Sequence, residues 1–405
     1  MFKDLTKVLS ADILAQLLLL LSLPILSRLY SPEDFGHFAL TTSIAWILVV
    51  LFTGKLELLT ITMSDDIKAR DFVVALSSLV FFLSFLAFIF IFLFFDLFKF
   101  HGIDDTFKYY SIILLTIVFS LNEILKSYAN FLGNFALIAK VALLNSIILV
   151  FFAIIYPIFY EDDLYIGLIL SVILGQFFSL VVYSNRTKLI KNLSHKFSFD
   201  KALITLKGIY RKGLLVFSNQ SFLSITLNLP ILIISNTSPV NTGNFSMSER
   251  IIGKPTSVIG QSISQALKYH YKESINPFLA KNLIRKSILV SLLISIFAYG
   301  SFALIFPKLV PFILGSNWIE ITPILQWVIA IEALNFLYYV HQDILIIKDH
   351  MKSRFFGQFF QMIFTVSLLI SSVYLEMDIY LILALIFIVR AITISFDIYQ
   401  TWIRG

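Results

Sequence analysis

The 405-residue chain contains no cysteine. That removes disulfides, thiolate nucleophiles and thiolate-bound metals together. Charge is scarce as well. Asp, Glu, Lys and Arg make up 14% of the residues, against about 25% in an ordinary soluble domain. The six histidines (His37, His101, His195, His270, His341 and His350) stand singly, with no HxxxH or HExxH spacing. No metal site and no cofactor are therefore expected. What the chain has instead is apolar surface: 58% hydrophobic residues, 42 of them Phe, and a mean hydropathy of +0.89. One globular core cannot bury that much, so membrane insertion is expected.

A helix needs about 20 apolar residues to cross a bilayer core. Twelve segments qualify, six near 9–28, 37–60, 73–97, 109–130, 136–159 and 164–184, and six near 213–236, 242–267, 287–309, 321–346, 355–375 and 379–401. The expected fold is an all-α integral membrane protein with about 12 transmembrane helices in two six-helix bundles. The bundles span 1–184 and 213–405, and a basic linker, 185–212, joins them. Lys3 and Lys7 before a Leu-rich run look like a signal peptide. No small-x-small cleavage site follows, so the run reads as a first transmembrane helix.

Basic residues decide the orientation. Connections after the odd-numbered spans hold only Arg28, Lys99, Lys108 and Lys308, among many acids. The other side carries Lys3, Lys7, Lys68 and Arg70, the stretch NRTKLIKNLSHKFSFDKALITLKGIYRKG, then Lys268, Lys272, Lys281, Arg285, Lys286, Lys348, Lys352 and Arg354. The positive-inside rule places both termini and the linker in the cytoplasm. It also accounts for the net charge of +6 without nucleic acid as a partner.

One pattern occurs twice. LPILSRLYSPEDFGHFAL begins at Leu23 and LPILIISNTSPVNTGNFSM at Leu229. Both place Ser-Pro after LPIL, then Gly and Phe at equal spacing after the proline. Both fall on the external side, which makes the halves parallel repeats about an axis along the membrane normal. Pro24 and Pro230 each remove a backbone donor and are expected to kink their helices. Gly36 and Gly243 are expected to let the chain turn into the next helix.

These segments, with GKLELLTITMSDD and GNFSMSERIIGKPTSVIGQSISQ, resemble the Wzx-type polysaccharide (O-antigen) flippases. Those belong to the multidrug/oligosaccharidyl-lipid/polysaccharide exporter superfamily, and the resemblance covers the whole chain. It implies translocation of an undecaprenyl-pyrophosphate-linked oligosaccharide repeat unit across a bacterial cytoplasmic membrane, by alternating access around a cationic cavity. It also implies membrane lipids as surroundings, with a polysaccharide polymerase and chain-length machinery as partners downstream.

Independently of that resemblance, charges within spans are costly and need partners, water or a function. Span 8 carries Glu249, Arg250 and Lys254. Arg250 and Lys254, four residues apart, are expected on one helical face. Span 2 carries Lys55 and Glu57 in its inner half. A pyrophosphate calls for cations, so Lys55, Arg250, Lys254 and Arg390 are the candidate binding residues. Structural ion pairing is the alternative for each. Among the acids, Asp12, Glu123, Glu332, Asp343 and Asp397 lie in or near spans. Asp12, Glu57, Glu123 and Glu249 are candidates for ion coupling or for ion pairs, Glu123 having Lys126 within helical reach. Asn219, Gln220, Asn228, Gln261 and Gln265 suit either a wet cavity wall or helix bridging.

Two other functions compete. A cation-coupled multidrug exporter shares the architecture, but needs acids facing its cargo. A membrane polymerase or glycosyltransferase needs a base, a nucleophile and an oxyanion donor together. No external connection combines them, and Asp65-Asp66 sits in a short loop without a supporting domain. A transporter, not an enzyme, is expected.

Overall fold

The computed structural model describes residues 2–63, 65–94, 106–187, 217–218, 221–273, 277–341 and 351–404, and among these there is no strand. Helices α1 to α6 span Phe2–Leu29, Pro32–Thr53, Asp66–Phe94, Thr106–Phe131, Phe135–Phe159 and Tyr165–Thr187. Helix α7 is Ser221–Ser235. Helix α8 has three parts, Pro239–Ser248, a π turn at Glu249–Gly253, and Lys254–Glu273. Helices α9 to α12 are Pro277–Leu314, Ile321–His341, Met351–Tyr374 and Ile379–Arg404.

Nine of these are long and apolar enough to cross a membrane among the described residues. The apolar parts of α1 and α7, Ile13–Leu29 and Ser221–Ser235, are shorter. With α8, the most polar helix, they complete the twelve expected segments. The chain is an all-α, multi-pass membrane protein.

Helix starts follow local chemistry. Ser31 precedes α2, and its hydroxyl donates to Asp34 Oδ2 at 2.6 Å while the Asp34 N–H donates back at 3.2 Å. Ser238 caps α8 by accepting from the Asn241 N–H at 3.0 Å. In both helices a proline, Pro32 or Pro239, holds the first position, where its missing N–H costs nothing.

The helices pack into two compact units, residues 1–30 with 37–228, and residues 31–36 with 229–405. In the N-terminal unit, Leu59, Phe72, Leu76, Ile124, Tyr128 and Val141 build a buried core from α3, α4, α5 and the turn after α2. The Tyr30 hydroxyl donates to the Ala153 carbonyl at 2.7 Å, tying α1 to α5. From residue 188 onward the expected linker lies outside the described residues.

The first turn of α2 packs within the C-terminal unit, and there the two repeat motifs meet. A Cβ on Gly36 would stand 1.9 Å from the Pro239 carbonyl oxygen, and one on Gly243 1.7 Å from that of Pro32. Pro32 to Pro239 and Gly36 to Gly243 are each 207 positions apart, so each motif offers the same carbonyl to the other's glycine. This corrects the expected role of both glycines. Each lies inside its helix, and neither has a positive φ. They are needed for close approach of two backbones, not for a turn.

Candidate functional site

Helix α8 cannot run as a regular α-helix, because Pro255 has no N–H for the carbonyl four residues back and its ring crowds that carbonyl. The backbone widens instead, and the Lys254 N–H donates to the Glu249 carbonyl. Side chains serve the carbonyls on either flank. Ser248 Oγ donates to Asn244 O at 2.8 Å, and Thr256 Oγ1 to Ile252 O at 2.7 Å, with the Tyr299 hydroxyl 2.8 Å from Thr256 Oγ1. Such π turns concentrate at functional sites.

The widened turn carries charge. Gly253 leaves room for Glu332 of α10, whose carboxyl carbon lies 3.3 Å from where a Gly253 Cβ would be. Glu332 is 4% exposed. Its Oε1 accepts from Asn335 Nδ2 at 2.7 Å, while Oε2 is buried without a donor. Glu249, Lys254 and Arg390 all lie within electrostatic range of this carboxylate. Arg390 is buried and faces the Gln361 side chain, whose carbonyl, turned toward the guanidinium, accepts from Nε at 3.1 Å. No ion pair joins Glu249, Lys254, Glu332 and Arg390 among the described residues. Two cations and two acids thus sit near one another without being locked together, and Lys254 is exposed.

Arg250 is also within electrostatic range of Glu249 and reaches an aromatic pair as well. Its guanidinium lies 5.5 Å from the Phe35 ring centroid. Phe35 in turn meets Trp318 edge-on at 5.4 Å, both fully buried. Arg250 and Lys254, four apart, stay near one face, because a π turn of little more than four residues brings them round nearly as far as an α turn does, and both act electrostatically on Glu249.

The other sequence candidates lie elsewhere. Gly54 (φ 59) and Lys55 (φ 50) form a left-handed pair that ends α2 at Thr53. Lys55 and Glu57 thus lie beyond the helix, Lys55 capping and Glu57 within a 3₁₀ turn, Leu56–Thr62, and not in the inner half of a span. In the N-terminal unit Lys55 Nζ stands 3.4 Å from Glu57 and 3.6 Å from Glu123. Lys55, not Lys126, is the partner of Glu123. Pro24 lies within α1, and its carbonyl accepts from Ser27 Oγ and Arg28 Nη1. Pro230 lies within α7. Asn228 Nδ2 donates to Ser224 O within α7. Asn219, Gln220 and Asp343 fall outside the described residues, as does the side chain of Asp12. Sequence reasoning named Glu332 only as one of five acids in or near spans, and it missed Asn335, Gln361 and Tyr299. Pro255 was the legible signal, since a proline one position after a charged residue in a polar span announces a disturbed helix.

The family model of polysaccharide biosynthesis proteins matches residues 25–323. The chain belongs to this family. No curated protein matches its sequence. Among solved structures, it is similar to a multidrug resistance MATE family transporter of the MOP superfamily in an inward-facing conformation. The TM-score is 0.65 at 15% identity, over 96% of this chain and 94% of that one. An outward-facing structure of such a transporter gives 0.51 at 13% identity, over 98% and 95%. The eukaryotic MATE transporter AtDTX14 gives 0.50 at 11%, over 99% and 96%. At these identities the likeness establishes the fold, and function must be argued from the site. The family match bears out the resemblance to polysaccharide biosynthesis proteins, and the fold agrees with it.

Proposed function

We propose that this polysaccharide biosynthesis protein is a flippase, which moves undecaprenyl-pyrophosphate-linked oligosaccharide repeat units across a bacterial cytoplasmic membrane by alternating access. Both termini face the cytoplasm in this reading, and a polymerase with chain-length machinery uses the product for an O-antigen-type polymer. The observation that carries it is the cationic character of the polar helix α8 and its neighbourhood, in a family named for polysaccharide synthesis. Arg250, Lys254 and Arg390 supply three positive charges to the C-terminal unit against Glu249 and Glu332. Arginine forks and a lysine point charge suit a diphosphate. Lys55, already held by two acids, has the weaker claim to the substrate.

A second reading, cation-coupled drug export, draws on the two carboxylates Glu249 and Glu332, which lie within electrostatic range of each other. Complementation of a deletion strain separates the two. As a flippase, the protein loses about tenfold or more of surface polymer in Lys254→Ala and Arg390→Ala, each variant forfeiting a charge-assisted contact, with membrane protein level unchanged. As a drug exporter it loses efflux of a cationic dye in Glu332→Gln, with polymer intact. Full polymer in the deletion strain itself overturns the flippase reading.

A further inference from the structure

Among the arginines of the C-terminal unit that the translocation reading leaves without a task, Arg285 has the most telling surroundings. Arg285 lies in α9, half-buried, with its guanidinium carbon 5.1 Å from the ring centroid of Trp402 on α12. Its Nε is buried and makes no hydrogen bond. No carboxylate pairs with it among the described residues. A buried cationic donor without an acceptor costs free energy, and the structure around it explains why the side chain stays there. Ile284 and Ile288 are buried against Leu267, Ile398 and Trp402, which fixes the rotation of α9 and holds Arg285 at the edge of that contact.

The same helix provides a second feature. Leu289, Leu292, Leu293 and Ile296 follow Arg285 at four, seven, eight and eleven positions, one face of a helix, and all four are exposed. Arg285 therefore heads an apolar stripe about 16 Å long. Lys286 beside it is exposed too. A cationic fork above an apolar stripe matches a phosphate carried on an acyl chain. Trp402 holds the guanidinium by cation–π contact, and its planar donors match phosphate oxygens better than an ammonium does.

We propose that Arg285, Lys286 and Trp402 form a binding site for the phosphate of an anionic bilayer phospholipid, whose acyl chain lies along Leu289–Ile296 of α9. The basic-loop asymmetry assigns this end of α9 to the cytoplasmic leaflet, where such lipids attract basic side chains. The site is separate from the charges on α8, so the two proposals stand or fall separately.

Native mass spectrometry of the purified full chain in detergent tests it, with palmitoyl-oleoyl phosphatidylglycerol, the corresponding phosphatidylcholine and inorganic phosphate as probes. The wild type retains phosphatidylglycerol in preference to phosphatidylcholine, and inorganic phosphate does not displace it. Arg285→Ala lowers phosphatidylglycerol occupancy about fivefold, and Arg285→Lys, which keeps the charge and loses the fork, about threefold. The lysine variant keeps the test intact if the alanine variant does not fold. Equal occupancy in wild type and Arg285→Lys overturns the site. Equal retention of the two lipids, or displacement by inorganic phosphate, overturns it as well.

Discussion

Replacing Gly243 with alanine tests whether the two repeat motifs need glycine for close approach. The new methyl would stand 1.7 Å from the Pro32 carbonyl oxygen, where contacts below 3.4 Å are already tight. The backbones must then part by roughly 1.5 Å, because the obstacle is a carbonyl in a helix and not the tip of a flexible side chain. Overpacking of this kind costs about 1–3 kcal/mol, and a backbone obstacle places it near 3. Alanine returns about 1 kcal/mol of helix propensity, leaving a net loss of about 2 kcal/mol. Gly36→Ala, at 1.9 Å from the Pro239 carbonyl oxygen, should cost about the same. One separation of the two segments relieves both collisions, so the double variant should lose about 1–2 kcal/mol less than the sum. Gly300→Ala is the control, because nothing lies within 4 Å of its Cβ. It should gain about 0.5–1 kcal/mol. Unfolding in mixed micelles of rising denaturing-detergent content, followed by circular dichroism, measures all four variants. Wild-type stability of Gly243→Ala, or strict additivity in the double variant, would refute the close-approach argument.

In the same unfolding assay, Lys55→Met should cost about 3 kcal/mol, since it leaves Glu57, with a side chain 1% exposed, without its cation. Adding Glu57→Gln should recover more than half of that, and no recovery would mean that the pair is not what stabilises the turn. Tyr30→Phe removes the buried bond to the Ala153 carbonyl and should cost about 1 kcal/mol; an unchanged midpoint would show that bond to be idle.

The fold was largely legible in the sequence because bilayer spans are long apolar runs that need no neighbour to be recognised. The exceptions have physical causes. Hydropathy carried span 2 to residue 60, but the left-handed pair Gly54-Lys55 ends α2 at Thr53, and apolar character does not register backbone handedness. Gly36 and Gly243 were visible as a repeated motif and still misread, since a lone sequence shows that a glycine recurs and not which backbone it meets. The charges of α8 were legible as charges. Their surroundings were not, because Phe35 beside Arg250 and Glu332 beside Gly253 come from other helices. Glu332 passed as one acid among five, its significance resting on a tertiary approach to Gly253.

The wide turn of α8 also leaves the helix with slack. Five residues, Glu249 to Gly253, occupy a turn that a regular helix closes with fewer, so the angle between Arg250, within it, and Lys254, just after it, is set by the turn. A chain one residue shorter at Ile251 would keep every charge of α8 and aim them differently. How much positive charge this helix presents in one direction is therefore a matter of backbone register, which a count of lysines and arginines does not record.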